Sequence, residues 1–135
     1  MLITVKSTRQ SEMIDITGKI KQAVAESGIK EGIVHLFSMH TTAGITVNEA
    51  CDPDVRTDMV SVLNKLVPWE DNYRHLEGNS AAHVKTTLVG TSQTLIVEKG
   101  TLVLGTWQGI FFCEFDGPRT RKIRLDFAFA LPPEV

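Results

Sequence analysis

The chain has 135 residues, of which 42% are hydrophobic and 22% are charged, and its formal net charge is −2. This composition is that of one globular domain, residues 1–135, and the near-neutral charge argues against a nucleic-acid-binding protein. No apolar run approaches the roughly 18 residues that cross a bilayer, and no secretory signal opens the sequence. We therefore expect a cytoplasmic protein with no membrane partner and with reduced cysteines.

The first predicted elements are a hairpin and a helix. Residues 2–7 and 12–16 alternate apolar and polar side chains, as half-buried strands do, and the short turn between them predicts that they pair. Thr17 can cap a helix that follows, and Gly28 supplies its C-terminal stop.

A buried strand and a second helix come next. Residues 31–39 are rich in β-branched and aromatic side chains, which predicts a buried strand, and a further strand covers 45–48. Asp52 is a good N-cap, Pro53 suits the first helical position, and Pro68 ends the helix. Its apolar stripe consists of Val55, Met59, Val62, Leu63 and Leu66.

The rest of the chain is a polar loop, a short helix and several strands. Residues 69–80 form the loop, and residues 81–89 can form a helix capped by Asn79 or Ser80 and stopped by Gly90. The remaining strands are predicted at 93–97, 102–104, 108–115 and 122–129. Many strands with two or three helices among them predict an α+β fold with a mainly antiparallel sheet.

Four histidines are the first candidates for chemistry. His40 leaves a strand into a Thr-Thr-Ala-Gly turn, and His75 and His83 flank the start of the short helix. Together these three can ligate zinc or another divalent metal, although their spacing matches no compact zinc motif. His35 lies between Val34 and Leu36 and is interpreted as a core histidine with one hydrogen bond.

A second set of residues predicts an anion site. Asn79 and Ser80 lie where the free N–H groups of a helix N-terminus favour an anion, and Lys85 follows one turn later. Arg119 and Arg121 lie on a turn and can form a phosphate clamp if the fold brings them to that helix. An ordinary helix cap and solvated surface side chains are the alternative interpretation.

Three further residues complete the candidate set. Glu49 follows a predicted strand and is a candidate ligand, general base or partner of a metal-bound imidazole. Trp107 and Gln108 can supply a pocket wall and a hydrogen-bonding group. Packing at an interface is the alternative for Trp107.

Three blocks of sequence carry a family resemblance: HTTAGITVNEACDPDV (40–55), HLEGNSAAHVKTTLVG (75–90) and GTLVLGTWQGIFFCEFDGPR (100–119). They closely resemble a small bacterial and archaeal family known as secondary thiamine-phosphate synthase enzyme. The resemblance implies an α+β fold, a homotrimer, and a cavity faced by His40, His75 and His83 with Glu49, Asn79 and Ser80 nearby.

The resemblance also implies an activity. It is a weak or secondary transferase reaction that joins hydroxymethylpyrimidine diphosphate to a thiazole phosphate and releases pyrophosphate. Magnesium or zinc, Arg and Lys side chains would neutralise the leaving group, and Trp107 and Glu49 would face the pyrimidine. Two alternatives stay open for the same small-molecule site. One is a metal-dependent hydrolase that uses the three histidines, and the other is a non-catalytic trimeric metabolite- or anion-binding protein.

Overall fold

The computed structural model describes residues 1–131, in which eight strands and three helices form the expected α+β fold. The strands are β1 (Leu2–Lys6), β2 (Glu12–Asp15), β3 (Gly32–Ser38), β4 (Ala43–Glu49), β5 (Ser92–Glu98), β6 (Thr101–Leu102), β7 (Gln108–Glu114) and β8 (Thr120–Phe129). The helices are α1 (Thr17–Ser27), α2 (Pro53–Leu66) and α3 (Ser80–Val89).

The strands pair in two antiparallel sheets. A five-stranded sheet has the order β1-β8-β3-β5-β6, and a three-stranded sheet has the order β2-β7-β4. The expected hairpin between the first two strands is wrong, because β1 pairs with β8 and β2 pairs with β7. Alternation along a strand shows which face is buried, but it does not identify the partner strand.

One hydrophobic core fills the space between the two sheets and α1. Leu36 of the five-stranded sheet and Phe112 of the three-stranded sheet are fully buried in it, together with Ile20 of α1. Gly28 ends α1 in the left-handed conformation with φ of 75°, as its C-terminal position predicts.

A second apolar cluster lies on the other face of the three-stranded sheet. Phe111 and Cys113 of β7 point into it, and Ala82 of α3 packs against them. Because β7 is central in its sheet and covered on both faces, its sequence is a continuous apolar run rather than an alternating one.

The start of α2 agrees with its sequence. Asp52 is the N-cap and its Oδ1 accepts a hydrogen bond from the amide of Asp54, with Pro53 at the first helical position. The predicted apolar stripe is only partly covered, because Val62 and Leu66 are exposed while the remaining stripe residues are half-buried. Within residues 1–131, no helix combines the length and apolar character that a membrane crossing requires.

Candidate functional site

A cleft opens where the chain leaves β3 and meets α3. It consists of two adjoining cavities of about 610 and 420 Å³. Four residues line both cavities: Met39, His40, Thr41 and His83. We call the larger cavity the Phe37 chamber and the smaller one the Asn79 chamber, after a residue that lines only that one. Two of the three predicted histidines therefore lie on the wall that the chambers share.

The backbone of β8 determines which nitrogen of His40 carries the proton. The amide of Lys122 donates a hydrogen bond to His40 Nε2 at 2.9 Å. The last paired residue of β3 is Ser38, opposite Ile123. Beyond that pair, the His40 ring and not a backbone carbonyl accepts the hydrogen bond from the β8 amide of Lys122. An Nε2 that accepts this bond has no hydrogen, and the neutral ring therefore carries its proton on Nδ1.

The segment that carries His40 is held at several points. Ser38 Oγ donates to the carbonyl oxygen of Ala43 at 2.7 Å, so one bond spans the whole turn. The amide of Phe115 donates to the carbonyl oxygen of Thr42 at 3.1 Å. Arg121 Nη2 donates to Thr42 Oγ1 at 2.8 Å. These bonds fix the backbone of the turn that carries the His40 imidazole ring.

A buried ion pair lies beneath this turn. Arg121 Nε donates to Glu114 Oε1 at 2.8 Å and Arg121 Nη2 donates to Glu114 Oε2, while the two side chains are only 4% and 0% exposed. Ser7 Oγ donates to the same carboxylate at 2.7 Å. Burial raises the pKa of Glu114, but the hydrogen bonds from Arg121, Ser7 and the amide of Asp116 outweigh burial and hold it below its ordinary value.

The surroundings of His40 favour its neutral form. Partial burial is the main cause that lowers its pKa below the ordinary value, and the positive charge of Arg121 acts in the same direction. The carboxylate of Glu114 opposes this effect and only partly offsets it. Within residues 1–131, Nδ1 of His40 has no hydrogen-bond partner and is not a fully buried atom, so its N–H is free to meet a ligand.

The other two histidines contact each other. The rings of His75 and His83 lie edge to face, with centroids 5.5 Å apart and planes at 81°. His75 Nε2 is 4.0 Å from a carboxylate oxygen of Glu77, and both side chains are largely exposed. His83 is half-buried on the cleft side of α3, and His75 extends the cleft toward solvent.

Asn79 presents a buried oxygen without a partner. Its Nδ2 donates to Asp116 Oδ2 at 2.9 Å, which orients the amide group. Its Oδ1 is fully buried and accepts no hydrogen bond within residues 1–131, although Asn79 is the N-cap of α3. Ser80, the first residue of the helix, is half-buried. The predicted capping position is therefore correct, but the predicted capping bond is missing.

The expected two-arginine anion clamp is not available in this cleft. Arg121 is neutralised by Glu114, and Arg119 donates to Asp116 Oδ2 at 2.7 Å and to the Asp116 carbonyl oxygen at 2.8 Å. The charged residues that line the Asn79 chamber are two acidic and two basic side chains: Glu77, Asp116, Arg119 and Arg121. Their formal charges cancel, so these four side chains supply no net positive charge for a phosphate.

Lys85 does not reach the helix N-terminus as expected. It points to α2, where its Nζ donates to Asn64 Oδ1 and lies 5.8 Å from the centroid of the Phe115 ring. Burial lowers the pKa of Lys85 below its ordinary value. On an α-helix, a residue two positions after His83 faces away from it, which is the physical reason for this separation.

Three predicted residues lie at the opposite end of the three-stranded sheet. Glu49 pairs with Gln108 at one end of β4 and β7, and Ala43 pairs with Glu114 at the other end, six positions away. Glu49 and Gln108 are therefore about 20 Å along the strands from the end of the sheet where Glu114 lies. Glu49 accepts hydrogen bonds from two backbone amides of the turn before α2, and Gln108 accepts one from the turn before β7. Trp107 is 63% exposed. Within one chain they do not join the histidine cleft.

The three histidines do not form the expected metal centre. Across residues 1–131, no group of three or more His, Cys, Asp or Glu side chains is arranged to hold a metal ion. His40 also has its Nε2 engaged with the amide of Lys122. His35 is half-exposed rather than a core residue, and its Nδ1 is 2.8 Å from Thr94 Oγ1, which is the single hydrogen bond expected for it.

Sequence reasoning missed three residues of the site: Thr42, Glu114 and Asp116. Glu114 was detectable as the one acidic side chain within the apolar run 109–115, where a charge requires a buried partner. Thr42 and Asp116 had no such signal, because polar residues in turns are usually solvated.

The chain belongs to the family described as "UPF0047 protein YjbQ-like", which it matches over residues 1–129. It is 54% identical over 120 residues to the UPF0047 protein YugU of Bacillus subtilis, a match that covers 88% of this chain and 91% of the relative. The UPF0047 protein MJ1081 of Methanocaldococcus jannaschii is 52% identical over 118 residues, which cover 87% of this chain and 86% of the relative. The crystal structure of an uncharacterized conserved protein of the yjbq/upf0047 family from Clostridium acetobutylicum matches with a TM-score of 0.92 at 49% identity, over 95% of this chain and 99% of that one.

These relatives correct the expected family and activity. The matches consistently carry the UPF0047 description, and nothing in them points to a thiamine-phosphate synthase. The resemblance to that family is therefore wrong, and the expected transferase role in thiamine biosynthesis has no support. The metal-dependent hydrolase and the non-catalytic anion-binding protein are supported no better.

Proposed function

We propose that this chain is an enzyme that transfers a proton at the carbon next to the carbonyl group of a small, uncharged polar molecule. His83 accepts the proton from that carbon and returns it. His40 donates its Nδ1 hydrogen to the carbonyl oxygen. The proposal rests on two observations. Both imidazoles line both chambers, and the bond from the Lys122 amide to His40 Nε2 leaves the proton of His40 on Nδ1, where it can be donated.

The proposed step balances within the site. As His83 takes the proton, the electron pair of the C–H bond forms a carbon–carbon double bond, and the carbonyl π electrons move to the oxygen. A neutral imidazole N–H directed at that oxygen stabilises the charge that develops there. Return of the proton to either face or to another position of the enolate gives the product, and no further reactant is needed.

The lack of spare positive charge supports an uncharged substrate. Arg119 and Arg121 are each paired with a carboxylate, so neither adds an uncompensated positive charge for a phosphate ligand. The edge contact between His75 and His83 limits how the His83 ring can rotate, which supports a positioning role for His75.

Deuterium exchange tests the proposal directly. The full chain in D₂O, incubated with a panel of small ketones, lactams and cyclic ureides, should exchange their α-protons faster than buffer does, as followed by NMR. His83→Ala should slow this exchange about 100-fold or more, and His40→Ala should slow it by a similar factor. His35→Ala is the matched control, because His35 lies on β3 outside the cleft, and should exchange at the wild-type rate.

Two results would refute the proposal. One is that no compound of the panel exchanges faster than in buffer, and the other is that His83→Ala keeps the wild-type rate. Thermal unfolding of each variant shows whether a lost rate reflects lost folding.

We further propose that the protein is a homotrimer in the cytoplasm. The divalent cofactor expected from the sequence, zinc or magnesium, stays a prediction. The outer face of the five-stranded sheet carries exposed apolar residues such as Ile33, Phe37 and Ile96, which supports association between copies. Sedimentation of the purified chain tests the trimer, and elemental analysis of the same sample tests for zinc or magnesium.

A further inference from the structure

The first turn of α3 is joined to the rest of the fold through Asp116. Asn79, the N-cap residue, donates from its Nδ2 to Asp116 Oδ2 at 2.9 Å, and the amide of His83 donates to the Asn79 carbonyl oxygen at 3.4 Å. Asp116 is therefore connected to the backbone of His83 through one residue. Within residues 1–131, no other hydrogen bond joins this turn of the helix to another part of the fold.

Apolar packing alone does not fix this end of the helix. Ala82 is fully buried and packs in the apolar cluster that contains Phe111. Such contacts hold the helix on the sheet, but they are not directional. The C-terminal end of α3 is tied by a backbone bond, since the Gly90 carbonyl oxygen accepts from the amide of Ile45 at 3.0 Å. At the N-terminal end, the directional bond comes from the Asp116 carboxylate.

The turn that contains Asp116 also holds the segment that carries His40. The amide of Phe115 donates to the Thr42 carbonyl oxygen at 3.1 Å. Two consecutive residues of one turn therefore hold the two segments that carry the imidazoles of the cleft. The bond of Asp116 bears on the position of His83, and the bond of Phe115 bears on the position of His40.

The Asp116 carboxylate is well placed to orient the helix. Its side chain is 15% exposed, and Arg119 Nη2 donates to the same oxygen at 2.7 Å. Hydrogen bonds to a charged acceptor are stronger than those between neutral groups, and salt screens a partly buried pair less than an exposed one. Arg119 Nε also donates to the Asp116 carbonyl oxygen at 2.8 Å, so the guanidinium contacts both backbone and side chain and limits rotation of the carboxylate.

We propose that Asp116 is the positioning residue that sets the location of His83 relative to His40, through its bond to Asn79. The consequence for turnover rests on the proposed proton transfer, in which His83 takes the proton and His40 faces the carbonyl oxygen. A displacement of about 1 Å at a reacting group can slow a reaction about 100-fold. Asp116 does not contact the substrate in this scheme, because it acts through the helix.

NMR of the full chain tests the geometry without turnover. In Asp116→Ala the ring resonances of His83 should shift, because the first turn of α3 loses its bond to the β7–β8 turn. The Lys122 amide, which donates to His40 Nε2, should keep its chemical shift, because the bonds of the His40 turn do not include the Asp116 side chain. A displacement confined to His83 separates positioning from a general loss of structure.

Removing the other end of the bond gives an independent check. Asn79→Ala deletes the partner of Asp116 but no capping bond, since the Asn79 side chain makes none. It should shift the His83 resonances in the same way as Asp116→Ala. The double variant should add no further shift, because both substitutions remove one interaction.

α-Proton exchange tests the consequence for the proposed reaction. Asp116→Ala should slow the exchange about tenfold or more. Asp116→Asn keeps an oxygen that accepts from Asn79 Nδ2 and should retain most of the wild-type rate. The rates are compared on the pH plateau of each variant, so that altered histidine titration does not enter. Asp126→Ala is the matched control, because Asp126 also pairs with an arginine, at 3.2 Å, but lies outside the cleft, and it should keep the wild-type rate.

Unchanged His83 resonances in Asp116→Ala overturn the assignment, and so does a shift of the Lys122 amide as large as that of His83. Equal slowing by Asp116→Asn and Asp116→Ala also overturns it, because the effect would then follow the charge and not the bond. Failure here is distinct from failure of the proposed function. If the wild type exchanges no α-proton, the proton transfer is refuted, while the His83 resonances still decide whether Asp116 positions this histidine.

Discussion

Replacing Arg121 by methionine is expected to lower the free energy of unfolding by about 3–5 kcal/mol. The Arg121 side chain is 4% exposed and donates two hydrogen bonds to Glu114, whose side chain is 0% exposed. In the variant this buried carboxylate keeps only the bonds from Ser7 Oγ and the amide of Asp116. A domain of this length has a total stability of about 7–20 kcal/mol. We therefore expect Arg121→Met to fold, with its Tm lowered by about 10–20 °C.

The effect should depend on pH in a defined direction. Because the pKa of Glu114 is depressed in the folded state, its contribution is fully present above the ordinary value of 4.5 and is lost as the pH falls through the lower folded-state pKa. The difference between wild type and Arg121→Met should therefore narrow at pH values below 4.5. Urea unfolding of both proteins, at neutral pH and in steps through the acid range, measures this difference in the free energy of unfolding. A loss under about 1 kcal/mol at neutral pH, or a difference that does not narrow in acid, would refute this reasoning.

Three further predictions concern local packing, thiol reactivity and assembly. Gly44→Ala should lose about 1–3 kcal/mol in urea unfolding, because its new Cβ meets the carbonyl oxygen of Gly90, whereas Gly18→Ala has open space around it and should not be destabilised by a clash. Burial raises the pKa of Cys113 to about 12, so iodoacetamide at mildly alkaline pH should modify only the exposed Cys51, as read by mass spectrometry. Sedimentation should give a mass of three chains at micromolar concentration, and a monomer would contradict the proposed trimer.

Local signals in the sequence predicted several helix ends, but the predicted cap at Thr17 is wrong, because Ile16 is the N-cap of α1 and Thr17 is its first helical residue. Gly28 and the pair Asp52–Pro53 act through the conformation and hydrogen bonding of adjacent residues, so their effect requires no knowledge of the fold. Strand pairing was not accessible in the same way. The partner of β1 is β8, more than one hundred residues later in the sequence, and only the packing of the whole core selects it.

The pairing of charges is the main difference between the predicted anion site and the cleft in the structure. The sequence predicts that Arg119 and Arg121 are free to bind an anion, because nothing in it shows that the fold brings a carboxylate to each of them. Glu114 lies seven positions before Arg121, yet the two meet only because β7 and β8 belong to different sheets that pack against each other. His40 and His83 were selected by residue type, by their positions near a turn and a helix start, and by the family resemblance, and both line the two chambers.

We predict that the buried pair of Arg121 and Glu114 orients the His40 turn in a way that apolar side chains cannot replace. A buried ion pair is weak support for stability, because two well-packed apolar residues often serve as well. The double variant Glu114→Met/Arg121→Met should therefore recover most of the stability that Arg121→Met loses. It should not fully recover the proposed α-proton exchange, because no methionine can donate to Thr42 Oγ1, which is one of the bonds that hold the turn carrying His40. Exchange at the wild-type rate in a stable double variant would show instead that the turn is held without Arg121.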